Sequence, residues 1–234
     1  MAVSVVRRGR SRSRLSWTLA VLAGLALLTA CGSSDYTYVS NESENTYFKV
    51  PASWKELDNG QLRVAFSDDN PDSMQQMSID SHRWVRAFDA SEAPSLGHLA
   101  QPVTAPIVLA ITQPLAPDEG SKLSLEDLRN LFDPVVGAEH DQAEEFYKQQ
   151  KQEFKVEVLA DTVLSPTDDV HGIRILYNIK RGERPLETRD LTVFVSNDQT
   201  KLYLFMVRCM AVCFLQNADQ LAEVAGSFTV VGRN

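Results

Sequence analysis

Cys209 and Cys213 are separated by three residues, and Cys31 is the only other cysteine. A pair so spaced at a strand-to-helix joint can be brought within bonding range. Three chemistries suit it: a structural disulfide, two small buried thiols, or a redox couple. The spacing is not Cys-x-x-Cys and no thioredoxin-like pattern precedes it, which argues against the redox couple. His82, His98, His140 and His171 are scattered, and no two have metal-ligand spacing. His140 and Asp141 with Glu144 and Glu145 carry donors for an exposed divalent site, but a solvated acidic helix face is the expected reading. Asp68, Asp69 and Asp72 lack the order and closing glutamate of a calcium loop and read as turn residues. Nucleophile-elbow, zinc-protease and phosphate-loop motifs are absent from the sequence. Ser227, between Gly226 and Phe228, reads as structural. No catalytic residue, metal or cofactor is expected.

The first thirty residues have their own character. Arg7, Arg8, Arg10, Arg12 and Arg14 precede an apolar run at 15–28, LSWTLAVLAGLALL. A positive flank before a short apolar stretch is the layout of a secretory leader, and the run is short for a transmembrane helix. The arginines are expected to stay cytoplasmic while the rest crosses. Residues 28–31 (LTAC) resemble the lipobox of bacterial lipoproteins. That resemblance implies that the Cys31 thiol takes a diacylglyceryl group and that the chain is cut before it. Lipid on Cys31 would then hold the protein on the extracytoplasmic face of the cell membrane. Acyl burial contributes about 0.8 kcal/mol per CH₂, so two or more chains make a stable anchor. Arg7-Arg8 invites a twin-arginine route, but the apolar residue or lysine expected after such a pair is missing. Export would place Cys209 and Cys213 in an oxidising compartment, where a disulfide is the expected outcome.

Charge narrows the partners. Residues 1–30 hold five arginines and no acid, which leaves eighteen basic and thirty-one acidic side chains, a formal charge of −13. Such a domain repels phosphate backbones, so nucleic acid is not an expected partner.

The elements that position these residues follow from pattern. Residues 31–44 read as the lipidated cysteine and a polar tether, and 45–234 as a single domain. Residues 46–50 (TYFKV) alternate and end at Pro51, which predicts a first strand, with Trp54 packing behind it. Residues 62–66 predict a short strand and 68–73 a loop. Residues 83–88 fit a strand or a short helix. Pro94, Pro102 and Pro106 mark a loop. Residues 107–112 (IVLAIT) form a continuous apolar run, as in a buried strand. Ser124 and Asp127 predict a capped helix over 124–132, and 140–152 a mostly exposed helix. Runs at 154–164, 172–180, 187–195 and 201–209 are joined by turn chemistry and predict an antiparallel meander. Tyr177, Phe194, Tyr203 and Phe205 on these runs are expected to fill the core, with a ligand-holding groove as the alternative. A helix at 213–225 and a short strand at 227–231 close the chain. The class is α+β.

Two ends of the domain resemble the PsbP-like fold. Residues 47–54 (YFKVPASW) look like its opening, an aromatic strand running into Pro-x-x-Trp. The strand at 202–208, the helix to Ala225 and residues 226–230 (GSFTV) look like its close. The nearest likeness is to actinobacterial lipoproteins, LpqN-like ones included, with Cys-x-x-x-Cys before the last helix. The resemblance implies a three-layer α/β/α sandwich with a predominantly antiparallel sheet and no shared catalytic site. It implies a non-enzymatic protein-binding or scaffolding module at the cell envelope. A carrier or sensor of a small apolar ligand, held between sheet and helices, is the alternative.

Overall fold

Strands dominate because β-branched and aromatic residues alternate over most of the chain. The computed structural model describes residues 35–66, 82–116 and 118–231. The leader, Cys31 and the loop expected at 68–73 lie outside them. The strands are β1 (Tyr36–Asn41), β2 (Thr46–Pro51), β3 (Lys55–Glu56), β4 (Trp84–Asp89), β5 (Ile107–Pro114), β6 (Phe154–Thr167), β7 (Val170–Arg181), β8 (Glu187–Ser196), β9 (Lys201–Met210) and β10 (Thr229–Val230). The helices are α1 (Asn59–Ala65), α2 (Leu125–Arg129), α3 (Gly137–Gln149), α4 (Ala211–Gln216) and α5 (Ala218–Gly226).

Seven strands form one sheet in the order β3-β4-β5-β9-β8-β7-β6, and every neighbouring pair is antiparallel. The meander is β6 to β9. β5 and β9 lie side by side in mid-sheet, with apolar layers on both faces, which is why their sequences are continuously apolar. On one face lies a second, three-stranded sheet, β1-β2-β10, with α5 beside it. There Phe48, Val50, Leu221, Val224 and Phe228 meet Phe88, Phe194, Phe205 and Val207. Phe205 stacks on Phe228 at 4.9 Å between ring centres. On the other face Leu62 of α1 and Leu128 of α2 meet Leu109, Ile173, Ile175, Leu191 and Leu204. The architecture is α+β in three layers.

Three local readings change, and the expected last strand gains its partner. Residues 62–66 are helical. Asp58 caps α1 by accepting from the Gln61 N–H at 2.8 Å. A strand would bury Leu62 and Val64 on one face, but Val64 is 73% exposed while Leu62 is buried. The segment read as a tether is folded from Tyr36, because β1 pairs along β2 from Tyr36–Pro51 to Asn41–Thr46. The closing helix is two helices. The Asn217 side chain donates to the Cys213 carbonyl at 2.8 Å and ends α4, while the Asn217 carbonyl accepts the first bond of α5. The last strand joins the small sheet, pairing with β2.

Cys209 at the end of β9 and Cys213 in α4 form a disulfide, with Cα atoms 6.0 Å apart. The bridge sets the angle at which α4 leaves the sheet. Its loop is short, so loop entropy gives about 2 kcal/mol. We expect reduction to lower the thermal midpoint by about 4–8 °C without loss of the fold. Calorimetry with and without reductant checks this; collapse of far-UV ellipticity at room temperature would contradict it.

Candidate functional site

Register brings four ionisable groups into one row. Asp89 pairs with Ile107, Ile107 with Arg208, Arg208 with Arg189, and Arg189 with Tyr177. Strand alternation puts all five on the face of α1 and α2, beside Ala87, Leu109, Met206, Leu191 and Ile175. Two arginines directly opposed repel unless an anion stands between them. Glu187 supplies one: it accepts from Arg189 Nη2 at 3.0 Å and faces Arg208 Nε at 2.6 Å. Asp133, in the turn after α2, supplies the other. It accepts from Arg189 Nη1 and from the Tyr177 hydroxyl, both at 2.7 Å, and faces Arg181 Nη2 at 2.7 Å. The Arg208–Glu187 and Arg181–Asp133 contacts lie off the hydrogen-bonding direction and act as charge pairs. The third guanidinium charge has no carboxylate left to match it. Arg208 meets it with the carbonyls of His98, Leu99 and Gln101.

Asp89 ties the other side of the same loop. Its carboxylate accepts from the Ser91 and Ser95 N–H groups and lies 2.7 Å from His98 Nδ1. The loop after β4 is thereby fixed over the end of the sheet by one buried anion and one buried cation.

Burial and partners set the proton affinities. Burial pushes the Tyr177 phenol well above its usual value, and Asp133 adds to this. Burial works to lower Arg189, but Asp133 and Glu187 outweigh it and raise its pKa. Burial pushes Arg208 down to about 10, against the pull of Glu187. Arg208 therefore stays charged at neutral pH. Burial works to raise Asp89, but the Ser91, His98 and Ser95 hydrogen bonds outweigh it and hold the carboxyl below its ordinary value. A carboxyl depressed on folding stabilises the fold above its unfolded pKa. That stability is lost as pH falls through the folded pKa. We expect Asp89→Asn to cost about 1.5–3 kcal/mol at neutral pH, as for hydrogen bonds to a charged group. The gap from wild type should begin to narrow below about pH 4 and shrink further as the pH falls. Urea unfolding across pH 3–7 checks this; a gap unchanged at low pH would contradict it.

Perturbed groups thus converge, yet as an interior network. Asp133, Glu187, Arg189 and Arg208 are only 1% to 6% exposed, and most of their polar atoms face one another and loop carbonyls. The chemistry open to them is holding the Asp133 turn and the 91–103 loop on the sheet. The sequence reading missed this network, although Glu187, Arg189 and Asp190 are a charged run inside a central strand of a meander. That run was its available signal.

The other singled-out residues are dispersed. Tyr177, Phe194, Tyr203 and Phe205 are buried core residues, with Tyr177 alone on the α1–α2 face. Ser227 donates to the Val224 carbonyl and accepts from the Lys49 N–H, tying α5 to β2. His140 packs on Phe154 with the rings tilted by 44°, and His171 bonds Asn197. Among the described residues no group of three or more His, Cys, Asp or Glu side chains is set to hold a metal. Two surface cavities, of about 150 and 510 Å³, are lined by charged residues. Glu44, Asp169, Asp198 and Lys201 line the first, and Asp118, Glu119, Lys122 and Glu139 the second. No helix of the described residues is long and apolar enough to cross a membrane.

One edge of the sheet is open. β6 runs for 14 residues and pairs with β7 alone among the described strands. Its exposed apolar side chains are Val158, Leu159 and Val163, at 43%, 49% and 55%. A bulge at Leu159 interrupts the register between Val158 and Ala160. The opposite edge, β3, is two residues long.

No family model matches the chain, and no curated protein matches it. Solved structures do. A cyanobacterial PsbP from Synechocystis is 15% identical, over 86% of this chain and 96% of its own, with a TM-score of 0.45. LpqN of Mycobacterium tuberculosis, described as involved in cell envelope biogenesis, is 12% identical over 84% and 91%, at 0.43. The Ran-binding protein Mog1p of Saccharomyces cerevisiae is 13% identical over 85% and 97%, at 0.40. The likeness concerns the fold alone.

Proposed function

We propose that this chain is an exported lipoprotein, held by lipid on Cys31 at the outer face of a cell membrane, whose domain binds a protein partner and performs no reaction. One observation carries the binding half: the long, open edge of β6 with its exposed apolar side chains. Short edge strands protect a sheet from other chains, and β3 fits that rule while β6 departs from it. An open edge offers main-chain donors and acceptors to an added strand, and its side chains select among strands. Register shifts at Leu159 and between Leu164 and Thr167 interrupt the edge, which limits unspecific sheet growth. Asp161 is already paired with Arg129 of α2 at 2.8 Å, so Glu157, which accepts from Asn178, is the acid on this edge that favours a basic, β-branched partner segment. The anchoring half rests on the leader and the LTAC motif.

The test pairs Val158→Lys with Val163→Lys. Both positions are exposed, so the fold should keep its stability to within about 0.5 kcal/mol. We expect the anchored wild type to bring down a partner from native membranes. The double variant should lose at least about tenfold of it, as for a binding hot spot. Equal recovery with both proteins would contradict the assignment to β6.

A further inference from the structure

The outward face of the small sheet is aromatic. In β1, Thr37 and Val39 share the side of Val50 and Phe48, and Val39 packs against the core while Thr37 stays exposed. Tyr36, Tyr38 and Ser40 therefore turn outward, opposite Pro51, Lys49 and Tyr47. Tyr38 is 75% exposed. Lys49 lies 4.1 Å over the Tyr36 ring and pairs with Glu223 of α5, which also accepts from the Tyr36 hydroxyl. Lys49 is the one charged residue in these three strands. In a domain of formal charge −13, these strands hold a single cation, which is matched to Glu223, with Asp35 and Glu42 flanking β1. A depression of about 180 Å³ opens between Tyr38 and Tyr47, with Ser227 on its wall.

Chain length decides what this face can reach. Four residues separate Cys31 from Tyr36. Fully extended, they let Tyr36 lie no more than about 17 Å from Cys31. A domain of this size is roughly 40 Å across. A tether running on to Glu44 would have let the domain turn freely; β1 removes that freedom. Tyrosine suits a headgroup layer, with an apolar ring and a wet hydroxyl.

We infer that the outward face of β1 and β2, centred on Tyr38 and Tyr47, rests on the headgroup layer of the membrane. This rests on the anchoring of Cys31 proposed above. The layer of α1 and α2 then faces away from the lipid, and the domain has one orientation at the surface.

Fluorotyrosine NMR tests it. The mature chain from Cys31 is joined to phosphatidylcholine nanodiscs through a maleimide lipid on the Cys31 thiol, with Cys209 and Cys213 in their disulfide. Tyr38→Phe and Tyr47→Phe assign the two signals, and a nitroxide headgroup lipid is then introduced. The expected result is loss of the Tyr38 and Tyr47 signals while those of Tyr147, Tyr177 and Tyr203 persist. Survival of the Tyr38 and Tyr47 signals, or equal loss of all, overturns the inference. Cross-linking of position 38 to a second copy on the disc also overturns it. The chemical tether stands in for cellular acylation, so this outcome does not depend on it. Fatty-acid labelling of the native precursor reads the anchoring separately.

Discussion

Asp133→Ala is expected to destabilise the domain by about 3–5 kcal/mol, because it removes one side of a buried ion network and strands the other. Asp133 is 1% exposed and takes contacts from Arg189, Arg181 and Tyr177. Without it, Arg189 keeps only Glu187, which must also face Arg208. Two guanidiniums in register across β8 and β9 would then share one carboxylate. Folds of this kind have about 5–15 kcal/mol in total, so the loss is a large share. Tyr177→Phe is the control. It removes one hydrogen bond and keeps the charges, so it should cost about 1 kcal/mol. Urea denaturation followed by circular dichroism measures both. Equal, small effects would show that the network is not what holds the Asp133 turn on the sheet.

Cys31→Ser is expected to abolish processing and lipid attachment altogether. Under the proposed anchoring serine offers an alcohol where a thioether would form, and the other two cysteines, Cys209 and Cys213, are bonded to each other. On the proposed anchoring, each acyl CH₂ withdrawn from the bilayer would remove about 0.8 kcal/mol of membrane affinity. A fatty-acid probe fed to growing cells should label the wild type and leave the serine variant unlabelled. Label on the serine variant at the wild-type level would contradict the account.

How far the sequence reads ahead of the structure depends on the kind of force involved. The meander was legible because β6 to β9 are long, alternating or continuously apolar, and joined by turn residues. The Cys209–Cys213 bridge was legible because three residues at a strand end leave few alternatives. The capped helix α2 was legible because Ser124 and Asp127 bond each other reciprocally. α1 was not legible: residues 62–66 alternate like a strand, and the Asp58 cap that decides the matter lies outside that window. β1 carried a signal that went unread, since Tyr36, Thr37, Tyr38 and Val39 favour a strand, but the run is short and sits among polar residues, and its partner β2 supplies most of the buried side. The ion network was hidden because it is made by register. Arg189 meets Arg208 and Tyr177 only when three strands are aligned, and Asp133 arrives from a turn some forty residues earlier in the chain.

The central claim, that β6 is the edge on which a partner strand is received, is tested most directly by photo-crosslinking in intact cells. A photoreactive residue is placed at Val158 or Val163 of the full chain, and at Glu144 on α3 or Val212 on α4 as controls. All four positions are exposed, so each variant should fold. The account predicts one discrete protein adduct shared by the two β6 positions and missing from both controls. No adduct from β6, or the same adducts from all four positions, would contradict it.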